Sequence, residues 1–165
     1  MAEKTLEDLF HDTLRDIYYA EKKILKGLTK MARAAQLPEL KAAFEKHHDE
    51  TEEQIDRLEQ VFEMIGKRAR GKSCPAIEGI LEEGDEIASE YKGTAALDAG
   101  LVSAAQAVEH YEIARYGTLR RWAQMLGLNE AASLLETTLK EESATDEALS
   151  VLAEQLANEK AQEAV

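Results

Sequence analysis

Residues 67–93, "KRARGKSCPAIEGILEEGDEIASEYKG", separate two regions of long-period apolar spacing and decide how those regions can be arranged. The run opens basic and polar. Then "CPAIEGILEEGDEIASEY" (74–91) carries a short helical pattern with Pro75 at its start, a position where the missing N–H of proline costs a helix nothing. One short helix with extended flanks can run the full length of a helical bundle, which a tight turn cannot. The elements on either side can therefore be parallel.

On the N-terminal side, Leu6, Leu9, Phe10, Leu14, Ile17, Ile24, Leu28 and Met31 recur at helical spacing, which predicts a helix over about 5–35. "QLPEL" breaks the pattern, and Leu40, Phe44, His47, Ile55, Leu58, Phe62 and Ile65 resume it over 38–66, up to Gly66. On the C-terminal side, Leu97, Leu101, Val108, Leu119, Trp122 and Leu126 predict a helix over 94–126, stopped at Gly127. A last helix over 129–158 follows, with Asn129 as a cap. Each is about 30 residues, or roughly 45 Å. The short turns make each pair an antiparallel hairpin. Two hairpins joined by one long crossover (67–93) define a ferritin-like four-helix bundle rather than an up-and-down one. The expected fold is all-α: one domain over 1–165, with residues 159–165 as a frayed tail. A shift of 91 positions sets Ile17–Leu58 on Val108–Leu149, and with them Glu21 on Glu112 and Glu50 on Glu141.

Composition agrees: 32% charged residues, 5% aromatics and 2 prolines in 165 residues favour helix over sheet. A net charge of −13 opposes duplex nucleic acid and anionic membranes as partners. The basic run "GKRARGK" (66–72) is expected to be a solvated loop. One cysteine, Cys74, excludes an internal disulfide and suits a reducing compartment. "CPAIEG" reads as a helix-capping turn rather than a redox site, because Cys74 has no resolving partner. The charged N-terminus does not resemble a signal peptide, and the charge-free stretch Ala99–Val108 is about half of a membrane span. A cytoplasmic location is expected.

Within "VEHYEIA" (108–114), Glu112 falls on the inward side of its helix, as Glu21 does among Ile17, Ile24 and Leu28. Glu142 takes a hydrophobe's place in the series Leu135, Leu149, Leu156. Buried carboxylates are costly unless paired, protonated or bound to metal. Counted from the hairpin turns, Glu21 and Glu112 lie about 24 Å along the axis, and Glu50, Glu141 and Glu142 about 20 Å. Four helices thus aim carboxylates into one slab. His47, Glu109 and Asp146 extend the set, and oxygen ligands with a histidine suit iron, manganese or zinc. Each residue also has a plainer reading. His47 can be a core-edge histidine, His110 a donor to a carboxylate, and the tyrosines packing.

The stretches "YYAEKKI", "HHDETEEQIDRLEQVF", "CPAIEGILEEG", "AAQAVEHYEIARYGTL" and "LKEESATDEAL" resemble the YciE/YciF group of bacterial stress proteins, over about Thr5 to Leu156. The resemblance implies a ferritin-like bundle, usually dimeric, with no established activity. More distantly the chain is similar to rubrerythrin-like and bacterioferritin-like di-iron proteins, which carry one Glu on helices one and three and Glu-x-x-His on helices two and four. Glu21 and Glu112 match the single glutamates. Glu109 matches the extra helix-three glutamate of rubrerythrins, Glu50 the second-helix glutamate, and Glu141 or Glu142 the fourth. Here the chain departs: Glu53 follows Glu50, His47 precedes it, and Ala144 or Thr145 stands three residues after Glu141 or Glu142. Neither Glu-x-x-His is present, which sets the chain apart from the familiar dinuclear geometry and its ferroxidase or peroxidase chemistry.

The resulting expectation is a homodimeric protein holding one or two iron or manganese ions. Its role is metal-dependent redox chemistry with a small oxidant (dioxygen or peroxide), or metal sequestration under stress. The rival is a structural or interaction protein that keeps the bundle without the metal. A storage cage is a third possibility, separated from both by its size.

Overall fold

A computed structural model describes residues 2–163. It contains α1 (Leu6–Ala34), α2 (Pro38–Met64), α3 (Pro75–Glu90), α4 (Leu97–Met125) and α5 (Asn129–Leu152), then a π-helical turn (Ala153–Ala157) and a short α6 (Asn158–Glu163). Among the described residues there is no strand, and no helix is long and apolar enough to cross a membrane. The fold is the expected all-α bundle of two hairpins and a crossover.

Local chemistry sets the helix ends. Thr5 and Asp8 form a capping box, with Asp8 N–H donating to Thr5 Oγ1 at 3.2 Å and Thr5 N–H to Asp8 Oδ2 at 2.9 Å, so two otherwise orphaned donors are satisfied. Pro38 opens α2. Gly66 and Gly127 close α2 and α4 at φ of 66° and 73°. There the N–H groups of Lys67 and Leu128 reach back to the carbonyls of Phe62 and Ala123, a closure that needs the left-handed backbone glycine adopts cheaply. Cys74 caps α3, its sulfur accepting from Ile77 N–H at 3.4 Å, as "CPAIEG" led us to expect. Lys67, Arg68, Arg70 and Lys72 are exposed, so the basic run is a solvated strap. It is held to α1 by Lys72 N–H donating to the Arg15 carbonyl at 3.1 Å.

Two features differ from the sequence-based expectation. The last helix winds into a π turn at 153–157, and residues 159–163, expected to fray, are helical. Ala157 is buried at this turn and α6 packs on α4, so tertiary contact holds a segment whose composition alone would not. Residues 164–165 of the expected tail lie outside the described residues.

Asp98, buried at the start of α4, accepts the N–H groups of Gln36 (2.8 Å) and Leu37 (2.7 Å) in the α1–α2 turn. This bond places the start of α4 beside the start of α2, so those helices run parallel and α1 and α4 antiparallel. Asp98→Ala leaves two backbone donors without an acceptor, and the expected cost is about 2–4 kcal/mol. A thermal melt should show a drop of roughly 5–15 °C. A change within error would mean that the clamp is not structural.

The two hairpins share one frame. Helix α1 begins at Leu6 and α4 at Leu97, 91 positions later; α1 ends at Ala34 and α4 at Met125, again 91 apart; α2 begins at Pro38 and α5 at Asn129, the same interval. The core between them is built from Phe10, Leu14, Ile17, Phe44, Leu58, Phe62, Leu101, Leu119 and Leu135, among others. In its middle the apolar packing is interrupted.

Candidate metal centre

The interruption arises because the inward stripe of each long helix contains a polar residue that the helical period cannot turn outward. On α1 the stripe Ile17, Glu21, Ile24, Leu28 buries Glu21 completely. On α4 the stripe Leu101, Ala105, Val108, Glu112, Tyr116, Leu119 buries Glu112, with Glu109 beside it. On α2, Phe44, His47, Thr51, Gln54 and Leu58 face inward, and on α5 Leu135, Thr138, Glu142 and Leu149 do. Residues three and four apart share a helix face, so one helix cannot bury its leucines and expel these side chains together.

His47 is the hub. Its Nε2 lies 2.7 Å from Glu109 Oε1, 3.8 Å from Glu112 Oε2 and 3.9 Å from Glu142 Oε2. One ligand atom from each of these four buried residues falls within 4.8 Å of all the others. Neither ring nitrogen of His47 has a hydrogen-bond partner of acceptable alignment, even at 2.7 Å, and both oxygens of Glu112 and one each of Glu109, Glu142 and Glu21 are orphaned. Buried polar atoms are nearly always satisfied, and these four residues converge closely enough that they could hold a metal ion. Metal–ligand bonds of about 2.0–2.2 Å place neighbouring donor atoms roughly 3–4 Å apart, a spacing that Glu112 and Glu142 keep from His47 and that Glu109, at 2.7 Å, undercuts.

Electrostatics agree. Burial raises the pKa of Glu21 to about 7, helped by the charge of Glu142. Burial also lifts Glu112 well above the usual carboxylate range, with Glu142, Glu21 and Glu109 adding repulsion. Glu142 rises for the same first reason, with Glu109 next. For His47 burial alone would lower the pKa, but its contacts with Glu109 and Glu50 outweigh it and the value rises well above normal. These groups cannot all ionise without a counter-charge.

Side chains around the cluster hold it in place. Tyr116, itself fully buried, donates to Glu21 Oε1 at 2.6 Å. Gln54 donates to Glu142 Oε1 at 2.5 Å and to Glu141 Oε2 at 3.2 Å. The sequence reading missed Gln54 and took Tyr116 mainly as packing, with a place beside a metal as its alternative. Their signal was a polar atom on an apolar stripe, four residues from Glu112 for Tyr116 and seven from His47 for Gln54.

Of the expected ligands, the structure brings His47, Glu109, Glu112 and Glu142 together, with Glu21 against them. Three others lie elsewhere. Glu141 turns to Arg57, whose Nη2 and Nη1 donate to its two oxygens at 2.7 Å and 2.8 Å, a bidentate pair that holds it at the rim. Asp146 accepts from Gln106 at 3.3 Å, and His110 Nε2 lies 3.2 Å from its Oδ1. Glu50 is partly exposed, 3.6 Å from Lys46, and approaches only the Nδ1 side of His47, at 3.9 Å. Its pKa falls, first because of His47.

Comparison with known proteins places the chain. The family described as "Domain of unknown function (DUF892)" matches residues 5–162. The protein YciF of Escherichia coli K12 is 45% identical over 160 residues, 96% of each chain. The crystal structure of that E. coli stress protein superposes with a TM-score of 0.88, covering 92% of this chain and 96% of the other. YcfI of Rhodopseudomonas palustris, described as a candidate structural protein, is 48% identical with a TM-score of 0.87, over 89% of this chain and 94% of its own.

Proposed function

The chain belongs to the DUF892 family, and we propose that it binds one transition-metal ion, iron or manganese, through His47, Glu109, Glu112 and Glu142, serving redox protection or metal sequestration under stress. The convergence of four buried ligand atoms with orphaned lone pairs is the observation that carries this reading. One nitrogen and several carboxylate oxygens suit either ion.

A bound iron or manganese ion would supply one-electron exchange with a small oxidant at this position. The chain's own residues do the rest. Gln54 fixes the orientation of Glu142, and Tyr116 holds Glu21 beside Glu112. Such outer partners set the direction in which ligand lone pairs point. Glu21, with a pKa near neutrality, can hold or release a proton next to the cluster without passing it to solvent. The apolar shell excludes bulk water and strengthens every charge interaction inside.

The rival reading is a structural protein. It is favoured by the close approach of opposite charges at His47 and Glu109 and by the hydrogen bond from Tyr116 to Glu21, and by the description of the R. palustris relative. Metal analysis of protein purified without chelator or added metal separates the two. The expected result is about one ion of iron or manganese per chain, lost in His47→Ala. No ion bound, even after dialysis against Fe(II) or Mn(II), favours the structural role.

The same reading includes a cytoplasmic homodimer without nucleic-acid or membrane partners. Leu9, Met64 and Met125 are exposed apolar side chains at one end of the bundle that such a contact would cover. Light scattering should then give roughly twice 18.4 kDa; a shell-sized assembly would favour storage.

A further inference from the structure

The chain has 33 acidic residues against 20 lysines and arginines, yet one face of the molecule reverses that balance. The strap between α2 and α3 lies along α1, and two open clefts form where they meet. The first, of about 260 Å³, is walled by His11 and Arg15 of α1 and by Lys67, Arg68 and Arg70 of the strap. The second, of about 450 Å³, sets Lys22, Lys23 and Lys26 of α1 beside Arg70 and Ser73. Among the described residues no carboxylate lines either cleft. Arg70 belongs to both, so they join into one groove that follows α1 from His11 to Lys26, about 22 Å along the helix axis.

These cations are held in place without being neutralised. Among the described residues only Arg15 of this set makes an ion pair, at 3.9 Å from Asp12. Lys22 Nζ lies 4.3 Å from the centre of the Tyr18 ring, and Lys23 Nζ lies 5.4 Å from that of Tyr19. Such contacts orient an ammonium without supplying a counter-anion. The strap is seated by the bond from Lys72 N–H to the Arg15 carbonyl and by Gly71, where a Cβ would stand 3.1 Å from the Cβ of Tyr19. The local field is positive. After burial, Lys67 and Arg15 hold the pKa of His11 below its usual value, against the pull of Asp12 and Asp8. Carboxylates return at the margins of the groove. Tyr18 donates to Glu59 of α2 at 2.8 Å and Tyr19 to Glu78 of α3, and one turn past Lys26 the next cation, Lys30, is paired with Asp85 at 3.0 Å.

We propose that the groove between α1 and the strap binds a short phosphate chain, either inorganic or carried by a nucleotide. A single phosphate cannot meet Lys26 and Lys67 together, whereas a chain can run past Arg70 from one cleft into the other. The Arg70 fork, at the joint, matches a pair of phosphate oxygens. A membrane surface or a duplex is wider than the groove and meets Glu59 and Glu78 at its edges, where like charges repel. The tyrosine rings of the groove already carry lysines, so bases lack the stacking partner that single-strand binders supply. Binding here is separate from the metal cluster and does not rest on it.

Calorimetric titration of metal-free protein with tripolyphosphate and with ATP tests this; the protein is kept metal-free because phosphate chains chelate divalent ions. Tripolyphosphate should bind once per chain and more weakly as salt is added. ATP of matching affinity identifies the phosphate chain alone as the ligand, and tighter ATP identifies a nucleotide. Arg70→Gln should weaken binding roughly tenfold, as loss of a charge-assisted contact does. Lys92→Gln removes the same charge from an exposed site outside the groove and should leave affinity within about twofold of wild type. Equal losses in the two variants overturn the proposal, as does an absence of saturable binding by either ligand. Tighter binding of a single-stranded oligonucleotide than of a polyphosphate of equal charge overturns it as well.

Discussion

Glu112→Leu is expected to abolish metal binding and, in the same step, to raise the melting temperature of the metal-free protein. No donor reaches either oxygen of Glu112, and three other carboxylates raise its pKa further after burial has done so. Without a metal the residue is therefore a net cost. Leucine has a similar volume and belongs on the stripe from Leu101 to Leu119. Replacing unpaired buried charge with packed apolar groups gains about 1–4 kcal/mol in comparable cases, so a rise of roughly 3–10 °C should appear by calorimetry. Glu21→Leu should gain less, because it strands the buried Tyr116 hydroxyl at a cost of about 1–3 kcal/mol. Adding Tyr116→Phe should recover that loss. A metal-free Glu112→Leu that melts below wild type, or one that keeps its metal, would sink the assignment of Glu112 as an unpaired ligand.

The second large effect is an inverted pH dependence. Metal-free protein should melt higher near pH 5.5 than near pH 8. Glu21 has an ordinary value of 4.5 and a folded value of about 7, so between these the folded chain binds more protons than the unfolded one. The stability linked to that proton is fully present below 4.5 and is lost as the pH rises through 7. Glu112, Glu142 and His47 are shifted upward too and act with the same sign. Glu50 is shifted downward, but its stability is lost only below 4.5, outside this window. His11, which burial lowers, opposes the trend weakly because it is mostly solvated. Glu21 alone accounts for on the order of 3 kcal/mol. Loaded protein should behave in the opposite way, since protons compete with the ion for the same atoms. Thermal melts across this range, with chelator and with Mn(II), measure both. Two curves that fall together on acidification would count against a buried, proton-holding cluster.

Most of the bundle was legible because its signals are local and periodic. The stops at Gly66 and Gly127, the break at Pro38 and the helix in the crossover each depend on a few adjacent residues. Inward carboxylates were legible where the apolar stripe surrounds them, as for Glu21 and Glu112. The choice between Glu141 and Glu142 was not. Adjacent residues on a helix differ by about 100°, so at the edge of a stripe either can turn inward, and the outcome rests on a partner in another helix. Arg57 of α2 draws Glu141 to the rim, and Gln54 keeps Glu142 inside. The Asp98 clamp has the same character, because a carboxylate that caps a turn about 60 residues away leaves no pattern in its own neighbourhood.

The shared frame of the two hairpins gives each residue of one a counterpart in the other, and within the cluster only Glu21 and Glu112 answer each other. The position equivalent to Glu142 is Thr51, and the one equivalent to His47 is Thr138. Both threonines are buried, and the Thr51 hydroxyl is occupied only by its own helix, at the His47 carbonyl, 2.7 Å away. On the metal reading, one half of the molecule carries the centre and its twin serves as scaffold. A scaffold of this kind is open to revision, because the positions that would hold a mirror-image centre already face inward at the right depth. For a designer, Thr51→Glu with Thr138→His is the shortest route to a second seat.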